Sequence, residues 1–129
     1  LHKLELLRNH NINTSSSTCV PTNVFDIAID CTGNPDGFNL AYKSLKPKGK
    51  LVMKSTYAGN LDLDISQVVV DEITLIGSRC GPFVSAINML NDGSIHVEDL
   101  IDSKYALMDG LEAVNRSTKS GVLKVLLEM

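Results

Sequence analysis

The sequence first narrows its own reading by what it lacks. No apolar run approaches the ~18 residues a membrane-crossing helix needs, so no membrane association is expected. No basic start leads into an apolar stretch, which argues against a secretory signal. Only three cysteines are present, Cys19, Cys31 and Cys80, and pairing any two leaves the third over. They lack metal-knuckle spacing and read as free thiols of an intracellular, cytoplasmic protein. His2, His10 and His96 share no ligand spacing either, so they read as surface groups and no metal site is expected among these residues. A formal net charge of −3 comes without a basic stripe, which argues against a nucleic-acid footprint. The densest basic cluster, Lys46-Pro47-Lys48-Gly49-Lys50, reads as the rim of a loop. Internal repeats and Pro-rich linkers are also missing.

What is present suits one globular domain: 129 residues, 43% hydrophobic and 21% charged. The chain opens in mid-pattern on Leu1-His2-Lys3-Leu4, without methionine, and reads as the interior of a longer protein. Leu1, Leu4 and Leu7 recur at helical spacing opposite Lys3, Glu5 and Arg8, which predicts the end of an amphipathic helix. A polar stretch over 9–23 follows as a loop. Phe25 to Asp30 reads as a strand, broken by Thr32-Gly33-Asn34-Pro35, where Asn34 can cap the next helix and Pro35 suits its first turn. That helix runs to about Leu45, with Phe38, Ala41 and Leu45 on its buried face. A turn over 47–49 leads into a strand from Lys50 to Met53.

Beyond an irregular stretch from Tyr57 to Asp64, a short helix from Gln67 to Asp71 precedes a strand from Ile73 to Gly77. Gly81-Pro82 opens another helix, with Phe83, Ile87 and Leu90 at core spacing and Asp92-Gly93 as its stop. Asp109 and Glu112 have the spacing of a capping box, and Leu111 and Val114 carry the apolar stripe of the helix that follows. Val122 to Leu127 reads as a closing apolar strand. Helices alternating with apolar strands predict an α/β fold whose parallel sheet is buried on both faces.

From Phe25 onward these segments resemble the medium-chain dehydrogenases and reductases. Asp26-Ile27-Ala28-Ile29-Asp30-Cys31-Thr32-Gly33 resembles the fourth strand of their Rossmann domain, and Lys48-Gly49-Lys50-Leu51-Val52-Met53 the fifth. Glu72-Ile73-Thr74-Leu75-Ile76-Gly77-Ser78 resembles the sixth, and Gly121-Val122-Leu123-Lys124-Val125 the last strand of the whole protein. The phrases Cys31-Thr32-Gly33-Asn34-Pro35, Lys54-Ser55-Thr56-Tyr57 and Ser78-Arg79-Cys80-Gly81-Pro82 are most similar to the zinc-dependent alcohol, polyol and threonine dehydrogenase branch.

The resemblance implies a partial Rossmann fold, a doubly wound parallel sheet. Residues 1–80 would be the second half of a dinucleotide-binding domain, and 81–129 the helices and strand returning toward a catalytic domain. It implies the C-terminal part of an oxidoreductase using NAD or NADP on a small alcohol or carbonyl substrate. Lys3 falls where the family has a basic residue near the adenosine ribose, and it equally suits a solvated helix position. Thr32 lies along the adenosine half, where Gly33 permits close approach. Lys54, Ser55 and Thr56 occupy a loop lining the nicotinamide, acting mostly through backbone, and Ser78, Arg79 and Cys80 occupy the second such loop. Lys124 aligns with a basic residue able to reach the pyrophosphate, and it also reads as a solvated lysine.

No catalytic residue is implied in this chain. It contains no G-x-G-x-x-G, so the phosphate-cradling loop would lie upstream. The residue that distinguishes NAD from NADP and the zinc ligands of the intact protein would lie there too. Alone, the chain is expected to be inactive. With strands in the usual 3-2-1-4-5-6 order, Phe25 to Asp30 would be left as an open edge. Val68 to Val70 and Ile73 to Ile76 read either as core or as a subunit contact in a homo-oligomer. Two other readings fit the same residues. One is a non-enzymatic Rossmann-like remnant that binds a nucleotide or a partner. The other, the zinc-free quinone reductase branch, is disfavoured by Ser78-Arg79-Cys80-Gly81.

Overall fold

A computed structural model describes residues 2–57 and 60–129, with backbone alone at residues 2 and 3. The elements run α1 (His2–Asn9), β1 (Phe25–Asp30), α2 (Pro35–Ser44), β2 (Leu45–Met53), α3 (Ile65–Val70) and β3 (Thr74–Gly77), then α4 (Phe83–Asn91), β4 (Ile101–Ala106), α5 (Gly110–Ser117) and β5 (Lys124–Glu128). The chain divides into two compact units, Ser15–Gly81 and Leu1–Thr14 with Pro82–Met129.

In the unit Ser15–Gly81, three parallel strands lie in the order β1-β2-β3. α2 starts where Asn34 and Pro35 predict it: the Asn34 side chain accepts the Gly37 N–H at 2.9 Å, satisfying one donor of the first turn. Its inner face buries Phe38 against Leu45 and Leu51, with Ala28, Ala41 and Tyr42 packed around them. Full burial of a side chain like Phe38 contributes roughly 2–3 kcal/mol. The turn expected over 47–49 is present inside β2. Phe25 pairs with Leu45 and Ile27 with Lys50, so β2 pouches outward between them, with Lys48 at φ 66°. α3 begins earlier than expected because the Asp64 carboxylate accepts the Ser66 and Gln67 N–H groups at 2.9 and 3.4 Å.

The sheet is not buried on both faces. α2 packs on β1 and β2, facing Ala28 and Asp30, while Ile27 and Ile29 on the opposite side of β1 are 58% and 60% exposed. Nothing among the described residues covers that side, so a two-sided apolar strand keeps one side in solvent.

In the other unit, β4 and β5 pair in parallel and α5 packs on both. β4 is a strand the sequence reading leaves unassigned. Its inward positions are Ile101, Ser103 and Tyr105, and the serine interrupts the apolar alternation that marks a half-buried strand. Three further expectations are corrected here. Asp109 stands at the N-cap of α5 but its side chain makes no capping bond, so there is no capping box. Leu111 and Val114 are exposed, the former 83%, and Ala113 is the buried position of that helix. Phe83, Ile87 and Leu90 of α4 are also exposed, Phe83 by 78%. These stripes have helical spacing without a partner among the described residues.

Candidate functional site

Parallel register brings Asp30, Met53 and Gly77 into one row, because Asp30 pairs with Met53 and Met53 with Gly77. The three strands of this sheet therefore stop at the same level. The segments that follow them, 31–34, 54–57 and 78–81, leave from one edge, the carboxyl end where open α/β sheets bind ligands. Thr32, Gly33, Lys54, Ser55, Thr56, Ser78, Arg79 and Cys80 are thus gathered at one edge.

Hydrogen bonds tie these segments together. The Ser55 hydroxyl donates to the Asp30 carbonyl at 3.3 Å and accepts the Gly33 N–H at 2.9 Å. The Lys54 N–H donates to the same carbonyl at 3.0 Å. Between the second and third segments, the Lys54 ammonium donates to the Arg79 carbonyl at 2.5 Å and to the Ser78 hydroxyl at 3.3 Å. Its charge is directed at a neighbouring loop. Thr56, Arg79 and Cys80 are exposed and Ser55 and Ser78 half-buried.

Sequence reasoning missed two residues here. Asp30 is only 1% exposed. Its carboxylate accepts the Thr32 N–H at 2.9 Å, the Thr32 hydroxyl at 2.7 Å and the Tyr57 hydroxyl. Burial pushes the Asp30 carboxyl up, but the bonds from Tyr57 and Thr32 outweigh it and hold the group below the ordinary carboxylate value. For the Tyr57 phenol, burial first and then the bond to Asp30 act in one direction, pushing it up to about 12. The Asp30–Thr32 spacing is that of an Asx turn and was legible. The partnership with Tyr57 had no local signal.

Two glycines shape the edge. Gly33 adopts φ +72°, and a Cβ built there meets nothing within 4 Å. Its backbone faces open space that a ligand can approach closely. Gly37, in the first turn of α2, passes so near Thr32 that a Cβ would stand 1.9 Å from the Thr32 hydroxyl. A depression of about 350 Å³ runs along β1 to Asp30, Thr32 and Gly37. A larger one, about 600 Å³, shares no lining residue with the strand-end segments. It opens at the other end of the strands between Asn23, Tyr42, Asp64 and Asp71.

The remaining candidates stand apart. Lys124 is exposed on β5, in the other unit. The Lys3 side chain lies outside the described residues. Cys19, Cys31 and Cys80 are free and exposed, so none packs into the core. Among the described residues no group of three His, Cys, Asp or Glu side chains could hold a metal ion. No helix among them is long and apolar enough to cross a membrane.

Comparison with known proteins bears on the family and the fold. The family model described as zinc-binding dehydrogenase matches residues 13–92. The chain is 28% identical over 107 residues to D-arabitol-phosphate dehydrogenase of Enterococcus avium, covering 80% of this chain and 30% of that protein. It therefore spans under a third of that relative's length. The fold superposes on the cobalt- and zinc-bound thermostable alcohol dehydrogenase of Pyrobaculum aerophilum with a TM-score of 0.78 at 22% identity, over 99% of this chain and 40% of that one. It also superposes on a zinc-binding dehydrogenase of Sinorhizobium meliloti solved with NADP, with a TM-score of 0.71 at 20% identity, over 83% and 32%. From the parallel row of strand ends to the matched residues, the chain is an α/β, Rossmann-type member of the zinc-binding dehydrogenase family.

Proposed function

We propose that the chain supplies the nicotinamide-facing edge of a dinucleotide site in an oxidoreductase acting on a small alcohol or carbonyl. The observation that carries this reading is the level row Asp30–Met53–Gly77, from which three hydrogen-bonded segments leave at one edge. When bound, the nicotinamide donates or accepts the hydride. The chain's own part is to hold it. A carboxamide needs a donor and an acceptor at fixed positions, and backbone groups in 31–33, 54–56 and 78–80 offer both. Gly33 leaves room for close approach on the adenosine side.

Zinc does not fit the residues present. No donor set exists among the described residues, so in this reading the chain's own residues face the dinucleotide and the chain alone is inactive. A homo-oligomer belongs to the same proposal, supported by Val69, Val70 and Ile76, which are exposed on α3 and on the outer strand β3.

Titration of NADH and NADPH into the chain, followed by amide chemical shifts, tests the site. Weak millimolar binding is expected, because no glycine loop cradles the pyrophosphate. The shifts should concentrate in 31–33, 54–56 and 78–80. No shifts, or shifts confined to the depression beside Tyr42, overturn the reading.

A further inference from the structure

Asp30 is a costly residue to bury. Taking a carboxylate out of water carries a penalty of several kcal/mol unless its lone pairs are filled, and no ion pair to it exists among the described residues. An apolar side chain at the end of β1 would avoid that penalty. What the carboxylate provides is geometry. It joins Thr32, in the segment after β1, to Tyr57, in the segment after β2. The Asp30 carbonyl and Gly33 N–H both meet Ser55 on the way. Two loops already joined through Ser55 also share one buried acceptor, and the Tyr57 ring is itself packed against the Phe38 core.

We propose that Asp30 and Tyr57 are positioning residues: together they brace the segments after β1 and β2 so that the Gly33 and Ser55–Thr56 backbone is ordered before a nicotinamide dinucleotide arrives. The role rests on the reading of this edge as the dinucleotide site. It acts by removing an ordering cost from binding, since a loop already fixed loses little freedom on contact.

Tyr57→Phe keeps the ring and deletes one O–H, and Asp30→Asn keeps the shape and removes the carboxylate. Amide hydrogen exchange and NADH affinity are measured on the full chain. Tyr57→Phe is expected to speed exchange at Thr32 and Gly33 about tenfold, the worth of one net hydrogen bond. Amides at Leu51 and Val52 in the ladder should be unchanged. NADH affinity should fall severalfold at a temperature where parent and variants are fully folded, although the lost bond lowers the melting temperature. The double variant should be no weaker than the weaker single one, as for residues acting as a unit. Should the variants fail to fold, the parent chain still decides, because unprotected Thr32 and Gly33 amides without ligand overturn the brace. A parent that binds no NADH overturns the site reading and the positioning role with it. A parent that binds, with variants binding equally well, overturns the positioning role alone.

Discussion

Gly37 and Thr32 stand so close that no β-carbon fits between them: one added to Gly37 would lie 1.9 Å from the Thr32 hydroxyl oxygen and 2.4 Å from its Cβ. The first turn of α2 therefore presses against the residue that Asp30 holds. Alanine is the better helix former by roughly 0.5–1 kcal/mol, but here it must push Thr32 off the Asp30 carboxylate. Losing those bonds and leaving a buried charge short of donors outweighs the helix gain. Gly37→Ala is expected to destabilise the chain by about 2 kcal/mol. At Gly110, φ is −54° and a Cβ meets nothing within 4 Å. There Gly110→Ala should stabilise by about 0.5 kcal/mol or slightly more. Urea midpoints of the two variants check the opposite signs.

The Asp30–Tyr57 pair also sets a pH dependence. The Asp30 carboxyl titrates below its ordinary value in the fold, with burial outweighed by the Tyr57 and Thr32 bonds. Its contribution is thus present above the unfolded value of about 4 and is lost as pH falls through the folded one. Asp102 and Asp92 have the same sign. Tyr57, raised from 10.0 to about 12, contributes stability that is complete below pH 10 and lost as pH rises toward 12. Denaturant stability measured against pH should fall at both ends. Tyr57→Phe should flatten the alkaline fall and shrink the acid one, which separates Asp30 from the other two carboxylates. Identical profiles for parent and variant would remove the linkage.

Local chemistry was the legible part of this chain. Asn34-Pro35 marked the start of α2, and apolar spacing marked Phe38 and Leu45, because caps and periodicity act within a few residues. The strand-end segments were legible through family phrases, and register then brought Thr32, Ser55 and Ser78 to one edge. β4 was not legible, since Ser103 stands where its pattern needed an apolar residue. The exposure of Phe83 and Leu111 was equally hidden: spacing reports that a helix has an apolar face and says nothing of what covers it. Tyr57 was read as part of an irregular stretch because its partner is far away in sequence.

In the unit holding β4 and β5, Arg116 of α5 grips Asp102 of β4 through two nitrogens, at 2.7 and 2.8 Å. The Arg116 hydrogen bonds hold Asp102 below its ordinary value against the opposing push of burial, with the Ser103 bond and the guanidinium charge adding to the lowering. A forked guanidinium contact is stronger than a single-point ammonium contact, yet Arg116 is 45% exposed, so water screens much of the gain. Arg116→Ala should lower the melting temperature only slightly, and Arg116→Lys should recover under half of that loss. Melting temperatures at low and at high salt check this, with the gap closing as salt rises.

The open side of β1 leads to the last prediction. Phe25, Ile27 and Ile29 are exposed along a strand that pairs on one side only among the described residues, and in the other unit α4 separately exposes Phe83 and Val84. An uncovered apolar edge is a template for pairing with another copy. The 129-residue chain is therefore expected to self-associate at micromolar concentration and to melt with a concentration-dependent midpoint. Ile27→Lys and Ile29→Lys place charge on the open side without touching Ala28 or Asp30 on the other. The double variant should shift the chain toward monomer in light scattering while its circular dichroism stays unchanged. A parent chain that is monomeric with a cooperative, concentration-independent melt would mean that this side is not adhesive.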